Sequence, residues 1–498
     1  MPFRSPCDSM SFAKNSIRKQ AIDMIITLQM EIGKENFSDL ESFLSELKEN
    51  LLGAGREIVR EALENRDKEI FQSRDKKRFR GKGKRKTCVK TWFGAVEYER
   101  QVYADLADPE HKHYVYLLDE EVRPHEVGCV SRDMCKIAAQ AVVNSSYRAA
   151  AAEISEMTGL SISPQGVWNI IQQIGKSNRE KIETYSEQTR KHQMIGAIES
   201  RIVYEENDGI WLKLQGQSRK DYGASREMKV GIAYDGATWE IGRNKKKRRT
   251  LDNKVAYAAF ESAGDFRKNK EGLLASRFNV DEIELRVING DGAQWIQKCP
   301  GVKCICVLDK FHRNKKITEC VKDEKTAKTI RELLYAGQIQ DMMDYIEAMI
   351  NSIEDPRELS GLRELQMYYQ NNIDALTDPY SRGIDIPETI QPDVVHHARL
   401  GSMESNIFTL IGNRMKGRRA AWSINGANNL SAILCALHTS GMESLFETAC
   451  NFYQPEERSD LGGLSAAKIP QREGHGYEPE HQSSINFTPW LRKLNIFR

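Results

Sequence analysis

The sequence predicts an α/β protein: a mixed β-sheet with helices around it, preceded by a mainly helical region. Three observations carry this. Between residues 201 and 309, five short apolar runs follow one another: RIVYEENDG, EMKVGIAYDG, KVAYAAFE, ELRVINGDG and KCICVLD. Each is closed by Gly, Asp or another polar residue, as strands are. Helical stretches fall between the third and fourth runs, near 266–278, and between the fourth and fifth, at AQWIQKC. On both sides of this block, apolar residues recur at spacings of three and four, the helical period.

The chain has 498 residues, which predicts roughly three domains at ~100–200 residues each. Hydrophobic residues make up 40% and charged residues 29%, the usage of a folded soluble protein, which excludes wholesale disorder. No apolar run approaches the ~20 residues a membrane span needs. The ten Cys are irregularly spaced and no secretory signal is read, so free thiols and a cytoplasmic location are expected. Cys299, Cys304 and Cys306 are close together, but C-x4-C-x-C fits no common zinc pattern. The net charge of +2 excludes a chain that is basic throughout. The positive charge is instead clustered in RDKKRFRGKGKRK (Arg74 to Lys86) and RNKKKRR (Arg243 to Arg249). Such clusters attract phosphate; the competing reading is a solvated loop with no fixed partner.

The elements then follow in order. Residues 1–70 read as helix with an apolar face that needs a partner, from the chain or from a second subunit. Residues 71–125 hold the basic run and a β-hairpin in TCVKTWFGAVEYERQVYAD, with Val89, Trp92, Val96, Tyr98 and Val102 around Gly94. Residues 126–195 return to helix. The sheet occupies 196–312 and is completed by 392–450, with a helical insertion at 313–391. The tail, 451–498, is rich in Gly, Pro, Ser and Glu and reads as poorly ordered.

Within 126–195, SYRAAAAEISEMTGLSISPQGVWNIIQQIG has the form of a helix-turn-helix. Thr158-Gly159-Leu160 turns the chain, Ser163 caps the second helix and Pro164 starts it. Ile154, Leu160, Ile162, Val167 and Ile170 pack the helices together. Gln165, Gly166, Trp168, Asn169 and Gln172 are then candidates for a groove-facing surface, where Gln and Asn suit adenine edges. A plain helical hairpin would show the same pattern.

Three strands, a helix, a strand, a helix, a strand and then helices is the element order of an RNase H-like fold. In that fold the first and fourth strands lie adjacent and parallel at the sheet centre. Their C-terminal ends meet in a crevice, where open α/β sheets bind ligands. Asp208 in YEENDGIW and Asp291 in VINGDGAQW are each read just after one of these strands, 83 positions apart (291 − 208). Glu404 in LGSMESNIF, 113 positions further on (404 − 291), can join them from a later helix. Phosphodiester attack adds negative charge to the reacting phosphate. Two Mg²⁺ or Mn²⁺ ions ~3.5–4 Å apart, held by carboxylates, offset that charge and activate the nucleophile. The bland alternative is that Asp-Gly after a strand marks a turn; for Asp235-Gly236 the turn is the favoured reading. Asp309 and His312, at the fifth strand exit, are candidates for supporting the carboxylates from behind; His312 could also orient the scissile phosphate, and a structural His is the favoured reading from sequence alone. Asp309 could equally be a ligand or a local helix cap. Arg414, Lys416, Arg418 and Arg419 follow Glu404 and could neutralise a DNA backbone. Trp422 fits the core better than a base stack. In the first basic run, Lys82, Lys84, Arg85 and Lys86 are the candidates for binding phosphate.

EENDGIWLKLQGQ, INGDGAQWI, LDKFHRNKKI and GSMESNIFTLIGNRMKGRRAAWS resemble motifs of bacterial insertion-sequence DDE transposases. They are most similar to the ISLre family, long known only as an uncharacterised protein family and related to the Mutator-like group. TWFGAVEYERQVY, YVYLLDEEV and SYRAAAAEISEMTGLSIS resemble its N-terminal half, so the likeness runs from about residue 70 to 440. The resemblance implies an RNase H-like catalytic domain with a helical insertion between the second Asp and the Glu. It implies Asp208, Asp291 and Glu404 as the triad. Relatives often carry Cys-x-x-His after the fifth strand, where this chain has Asp309-Lys-Phe-His312. The expected activity is cutting and joining of double-stranded DNA at terminal inverted repeats and target sites, by a homo-oligomer. A nuclease without strand transfer and a DNA-binding protein with a disabled catalytic domain remain alternatives.

Overall fold

The computed structural model describes residues 39–107, 113–122, 130–241, 247–296, 304–376, 400–417 and 419–447. Helix α1 (Leu40–Ser73) opens it, and the chain divides into units Met1–Ile58 and Val59–Arg498. In the second unit, β1 (Phe79–Thr91), β2 (Gly94–Asp105) and β3 (His113–Val115) make a small sheet, followed by α2 (Leu117–Val122). The expected hairpin is present. Val89, Val96 and Tyr98 bury one face against Ile70 and Leu118. Gly94 turns the chain at φ 105°, a conformation that favours glycine. The basic run is turn only up to Arg78. From Phe79 it begins β1, where Lys84, Arg85 and Lys86 pair with Gln101, Arg100 and Glu99 of β2. A bulge between Gly81 and Lys84 interrupts the ladder. The backbone is thus satisfied by β2 while the charged side chains stay in water.

Three helices follow: α3 (Arg132–Asn144), α4 (Tyr147–Thr158) and α5 (Pro164–Arg190). Serines 131, 146 and 163 cap them, each accepting a hydrogen bond from a backbone N–H in the first turn. Gly159 ends α4 at φ 67°. The pairing of α4 with α5 is as expected, with Ile154, Leu160, Ile162, Val167 and Ile170 all buried between them.

The five apolar runs form one sheet. Its strands are β4 (Ile202–Lys213), β5 (Ser225–Tyr234), β8 (Val255–Ala259), β9 (Leu285–Gly290) and β10 (Cys304–Leu308), in the order β10-β9-β4-β5-β8. The first and fourth, β4 and β9, are parallel neighbours at the centre, and β10 continues the parallel side. The β4–β5 and β5–β8 pairs are antiparallel. Helix α6 (Gly216–Tyr222) links β4 to β5, and α7 (Ala263–Ala275) precedes β9.

Two features differ from expectation. A hairpin, β6 (Gly236–Ile241) with β7 (Lys247–Asp252), stands between the second and third strands and takes in part of the second basic block; residues 242–246 lie outside the described residues. Asp235 is the bend before it, accepting a 2.8 Å hydrogen bond from Asn253 Nδ2. The segment AQWIQKC is a turn at Gln294–Ile296, and its remainder lies outside the described residues.

After the sheet come α8 (Lys310–Cys320), α9 (Glu324–Tyr335), α10 (Ile339–Ser352), α11 (Pro356–Asn371) and α12 (Ile373–Leu376). They bury their own core of Ile317, Ile330, Leu334, Met342, Ile346, Leu362 and Leu365. The chain is described again from Leu400, through α13 (Met403–Ile407), a π-helical turn (Phe408–Gly412), α14 (Asn413–Met415), α15 (Ile424–Thr439) and α16 (Gly441–Glu447). Helix α15 closes the sheet by hydrogen bonds of Asn428 to Phe260 N–H and of Ser431 to the Ala258 carbonyl. It approaches α5 so closely that a Cβ on Gly175 would lie 2.1 Å from the Asn429 carbonyl oxygen. Cys88, Cys135, Cys306, Cys320 and Cys435 form no disulfide, as expected, but Cys304 is disulfide-bonded. Among the described residues, no helix is long and apolar enough to cross a membrane. The expected tail, 451–498, lies outside them.

Candidate active site

The site begins with strand register. The parallel pairing of β4 and β9 ends at Glu206↔Asn289. Two residues further on come Asp208 and Asp291. Asp291 does follow its strand, but Asp208 does not: it lies inside β4, paired with Val230 of β5. The turn reading of Asp208-Gly209 fails because β5 continues as a partner to Lys213 after β9 has ended. Gly209 has a separate reason. A Cβ there would lie 2.1 Å from Oε1 of Glu227.

Asp208 meets Glu404 through His312. The imidazole Nε2 stands 3.4 Å from Asp208 Oδ2 and 3.5 Å from Glu404 Oε1. One ligand atom from each of the three lies within 4.8 Å of the others. Asp208 and His312 are half-buried and Glu404 is exposed. His312 is therefore part of the cluster rather than behind it. Asp291 is not in this group of three. Its Oδ1 accepts a 2.9 Å hydrogen bond from the Ala293 N–H, and its carbonyl accepts one of 2.8 Å from the Tyr368 hydroxyl. Its charge still reaches the site, since it acts on both His312 and Glu227.

The electrostatics are those of crowded acids. The hydrogen bond to Asp208 raises the His312 pKa above the usual imidazole value against the effect of burial, and the charges of Asp309 and Asp291 add to it. Burial raises the Glu227 carboxyl, and Asp291 and Asp208 raise it further against the opposing effect of Lys229. Glu227 was not anticipated from the sequence. Its signal was available only through register: Gly209 pairs with Lys229, so Glu227 is a diagonal neighbour.

Asp309 is resolved as a cap. It is buried, and Oδ1 accepts from the N–H groups of Phe311 (2.9 Å) and His312 (3.2 Å) at the start of α8. Its Oδ2 accepts from Asn289 Nδ2 at 3.0 Å. On the opposite face of β4, Glu205 is buried with Lys270 and Arg286, and Arg286 also holds Glu271. Alternation along the strand thus sends Glu206 and Asp208 one way and Glu205 and Asn207 the other.

The residues expected to touch DNA divide. Lys82, Lys84, Arg85 and Lys86 are exposed on β1. Gln165 and Asn169 are exposed near the start of α5 and bonded to each other at 3.0 Å, with Trp168 exposed between them. Gln172 instead turns inward and accepts a 2.9 Å hydrogen bond from Asn429 of α15, because α5 is packed there and no longer at a surface. Arg414 also turns inward. It donates to the Val142 carbonyl at 2.5 Å and lies over the rings of Tyr147 and Trp422. Lys416 and Arg419 are exposed, and Arg418 lies outside the described residues. Trp422 is buried and donates to the Met415 carbonyl at 2.8 Å, as the core reading expects.

Among known proteins, the chain is similar to a UPF0236 protein of Caldanaerobacter subterraneus subsp. tengcongensis whose name joins eleven locus labels. The two are 26% identical over 398 residues, 78% of this chain and 75% of the relative. A second protein of that organism is 25% identical over 398 residues, 78% of this chain and 76% of the relative. The UPF0236 protein in the vanSb 3′ region of Streptococcus gallolyticus is 20% identical over 439 residues, 86% of this chain and 90% of the relative. The model of the Uncharacterised protein family (UPF0236) matches residues 34–444. The chain belongs to this family.

Proposed function

We propose that this chain is the DDE transposase of an insertion sequence, a divalent-metal-dependent enzyme that cuts DNA at terminal inverted repeats and joins the freed ends to target DNA. The observation that carries the reading is the convergence of Asp208, His312 and Glu404 from three distant segments, with Asp208 and Asp291 each two residues past the last β4–β9 pair. The order and directions of the five strands support an RNase H-like sheet, and the capped α4–α5 pair with exposed Gln165, Trp168 and Asn169 supports a DNA-binding helix-turn-helix. The relative whose name joins eleven locus labels adds support, since one sequence at many loci is what a mobile element leaves behind.

The donor set fits the metal. Carboxylate oxygens, two of the three donors here, are the ligands Mg²⁺ and Mn²⁺ favour. Opposite ligands of one Mg²⁺ lie ~4.2 Å apart, twice its ~2.1 Å bond length, which matches a cluster within 4.8 Å. Asp208, Glu404 and His312 would hold one ion, and Asp291 with Asp208 a second. The bound ions supply water activation and neutralise charge on the reacting phosphate. The chain's own residues do the rest. Asp291 and Glu227 deepen the negative potential that draws cations in, and the exposed Lys82, Lys84, Arg85 and Lys86 bind the DNA backbone.

The test supplies DNA carrying the sequences that flank the gene, with Mn²⁺ or Mg²⁺. Strand-transfer products are expected; nicks alone would leave a nuclease, and binding without cutting a DNA-binding protein. Asp208→Asn should abolish cleavage and leave DNA affinity within about twofold. Undiminished cutting by that variant removes Asp208 from the mechanism.

A further inference from the structure

Glu206 is buried at the centre of the sheet, 0% exposed, on the same face of β4 as Asp208. Its carboxylate takes hydrogen bonds from four residues. Oε1 accepts from the Tyr234 hydroxyl at 2.7 Å, and Oε2 from Asn289 Nδ2 at 3.1 Å. The other donors are backbone amides of the segment that leads into Glu404. Gly401 N–H donates to Oε2 at 2.9 Å, and Ser402 N–H reaches both oxygens, at 3.1 and 3.0 Å. Glu206 is two residues before Asp208, and Ser402 is two residues before Glu404. One side chain therefore spans the same gap that the proposed metal ligands span.

The residue type matters. A carboxylate offers acceptors on both oxygens and no donor, so it can receive two adjacent amides at once. A glutamine in the same place would turn an NH₂ group toward at least one of these donors. Gly401 lets the segment reach the carboxylate, since it stands at φ 108° in the region that favours glycine. Arg249 secures the next residue by donating to Ser402 Oγ at 3.1 Å. Asn406, one turn into α13, donates back to the Ser402 carbonyl at 2.8 Å.

We infer that Glu206 is a positioning residue: it clamps Gly401 and Ser402 against β4 and thereby sets Glu404 beside Asp208 and His312. This role rests on the transposase reading for its consequence, though the clamp itself can be measured without any DNA. Residues that orient metal ligands typically change metal affinity by ~10–100-fold when altered, and that is the effect expected of Glu206→Gln.

The experiment reads two quantities on the whole chain. Hydrogen exchange at the 400–407 segment should be faster in Glu206→Gln than in the wild type, with no metal present. Mn²⁺ affinity by calorimetry should fall by ~10–100-fold, with DNA affinity in the absence of metal unchanged. Gly401→Ala attacks the same bonds from the amide side and leaves the buried carboxylate in place, so it decides the matter if Glu206→Gln does not fold. Its exchange and Mn²⁺ affinity should move the same way. Variants that exchange like the wild type and bind Mn²⁺ as tightly would overturn the positioning role alone. A wild type that takes up no Mn²⁺ would overturn the transposase reading and this role with it.

Discussion

Asp309 ties the local fold to the site in a single side chain. It caps α8, whose first turn carries His312, and it accepts from Asn289, which also donates to Glu206. Asp309→Ala should lower stability by ~0.5–2 kcal/mol, the usual cost of removing a helix cap. It should also weaken Mn²⁺ binding, because the helix that aims His312 is loosened; a thermal midpoint with a Mn²⁺ titration checks both. Arg414→Ala separates two roles that look alike in sequence. The guanidinium is committed to the Val142 carbonyl and two rings, so the variant should melt at lower temperature yet bind DNA with an unchanged salt dependence. A flattened salt dependence would return Arg414 to the DNA surface. Sequence could name these residues but not aim them. The direction in which Arg414 and Gln172 point is set by α3 and α15, which are far away in the chain. Asp208-Gly209 misled for a similar reason: a dipeptide that marks turns stays extended when a neighbouring strand pairs through it.

Elements were easier to foresee than aims. The five strands are legible because each is a compact apolar run, and strands buried on both faces need no alternation to be recognised. The α4–α5 corner is legible because Gly159, Ser163 and Pro164 each have a backbone reason to be there. The β6–β7 hairpin was missed because one of its strands is built from a basic block, which carries no apolar signal. The start of β1 was missed for the same reason, and its position makes a prediction. Four exposed cations on one strand are held more stiffly than they would be on a loop, which suits the proposed contact with phosphate. Replacing Lys82, Lys84, Arg85 and Lys86 together by Ala should reduce the slope of log K against log salt by up to ~3–4, about 0.9 for each phosphate no longer neutralised. Because these side chains are solvated, the melting temperature should change little. Anisotropy titrations across a range of KCl concentrations give the slope, and an unchanged slope would show that β1 does not touch DNA.

At the scale of the whole molecule, β4 acts as a partition. One face of it carries Glu206 and Asp208 toward the candidate metal site; the other carries Glu205 into a buried charge cluster with Lys270 and Arg286, which fastens the sheet to α7. Four consecutive polar residues, Glu205 to Asp208, lie on the central strand of the sheet. That arrangement holds only if each face supplies partners. Burial would raise the Glu205 pKa, but the charges and hydrogen bonds of Lys270 and Arg286 outweigh it and hold the carboxyl below its ordinary value. The folded pKa is then lower than the unfolded one, ~4.3. The stability it contributes is fully present above that value and is lost as pH falls through the folded pKa. Glu205→Gln leaves two buried cations short of a partner, and removing one member of a buried pair costs ~3–5 kcal/mol. The variant should therefore melt well below the wild type at pH 7, and the gap should close as the pH is lowered and the wild-type carboxyl takes up its proton. Thermal midpoints of both proteins from pH 7 down to about pH 2, below the depressed folded pKa, measure this; a gap of constant size over that whole range would mean that the charge on Glu205 is not what joins the sheet to its helix.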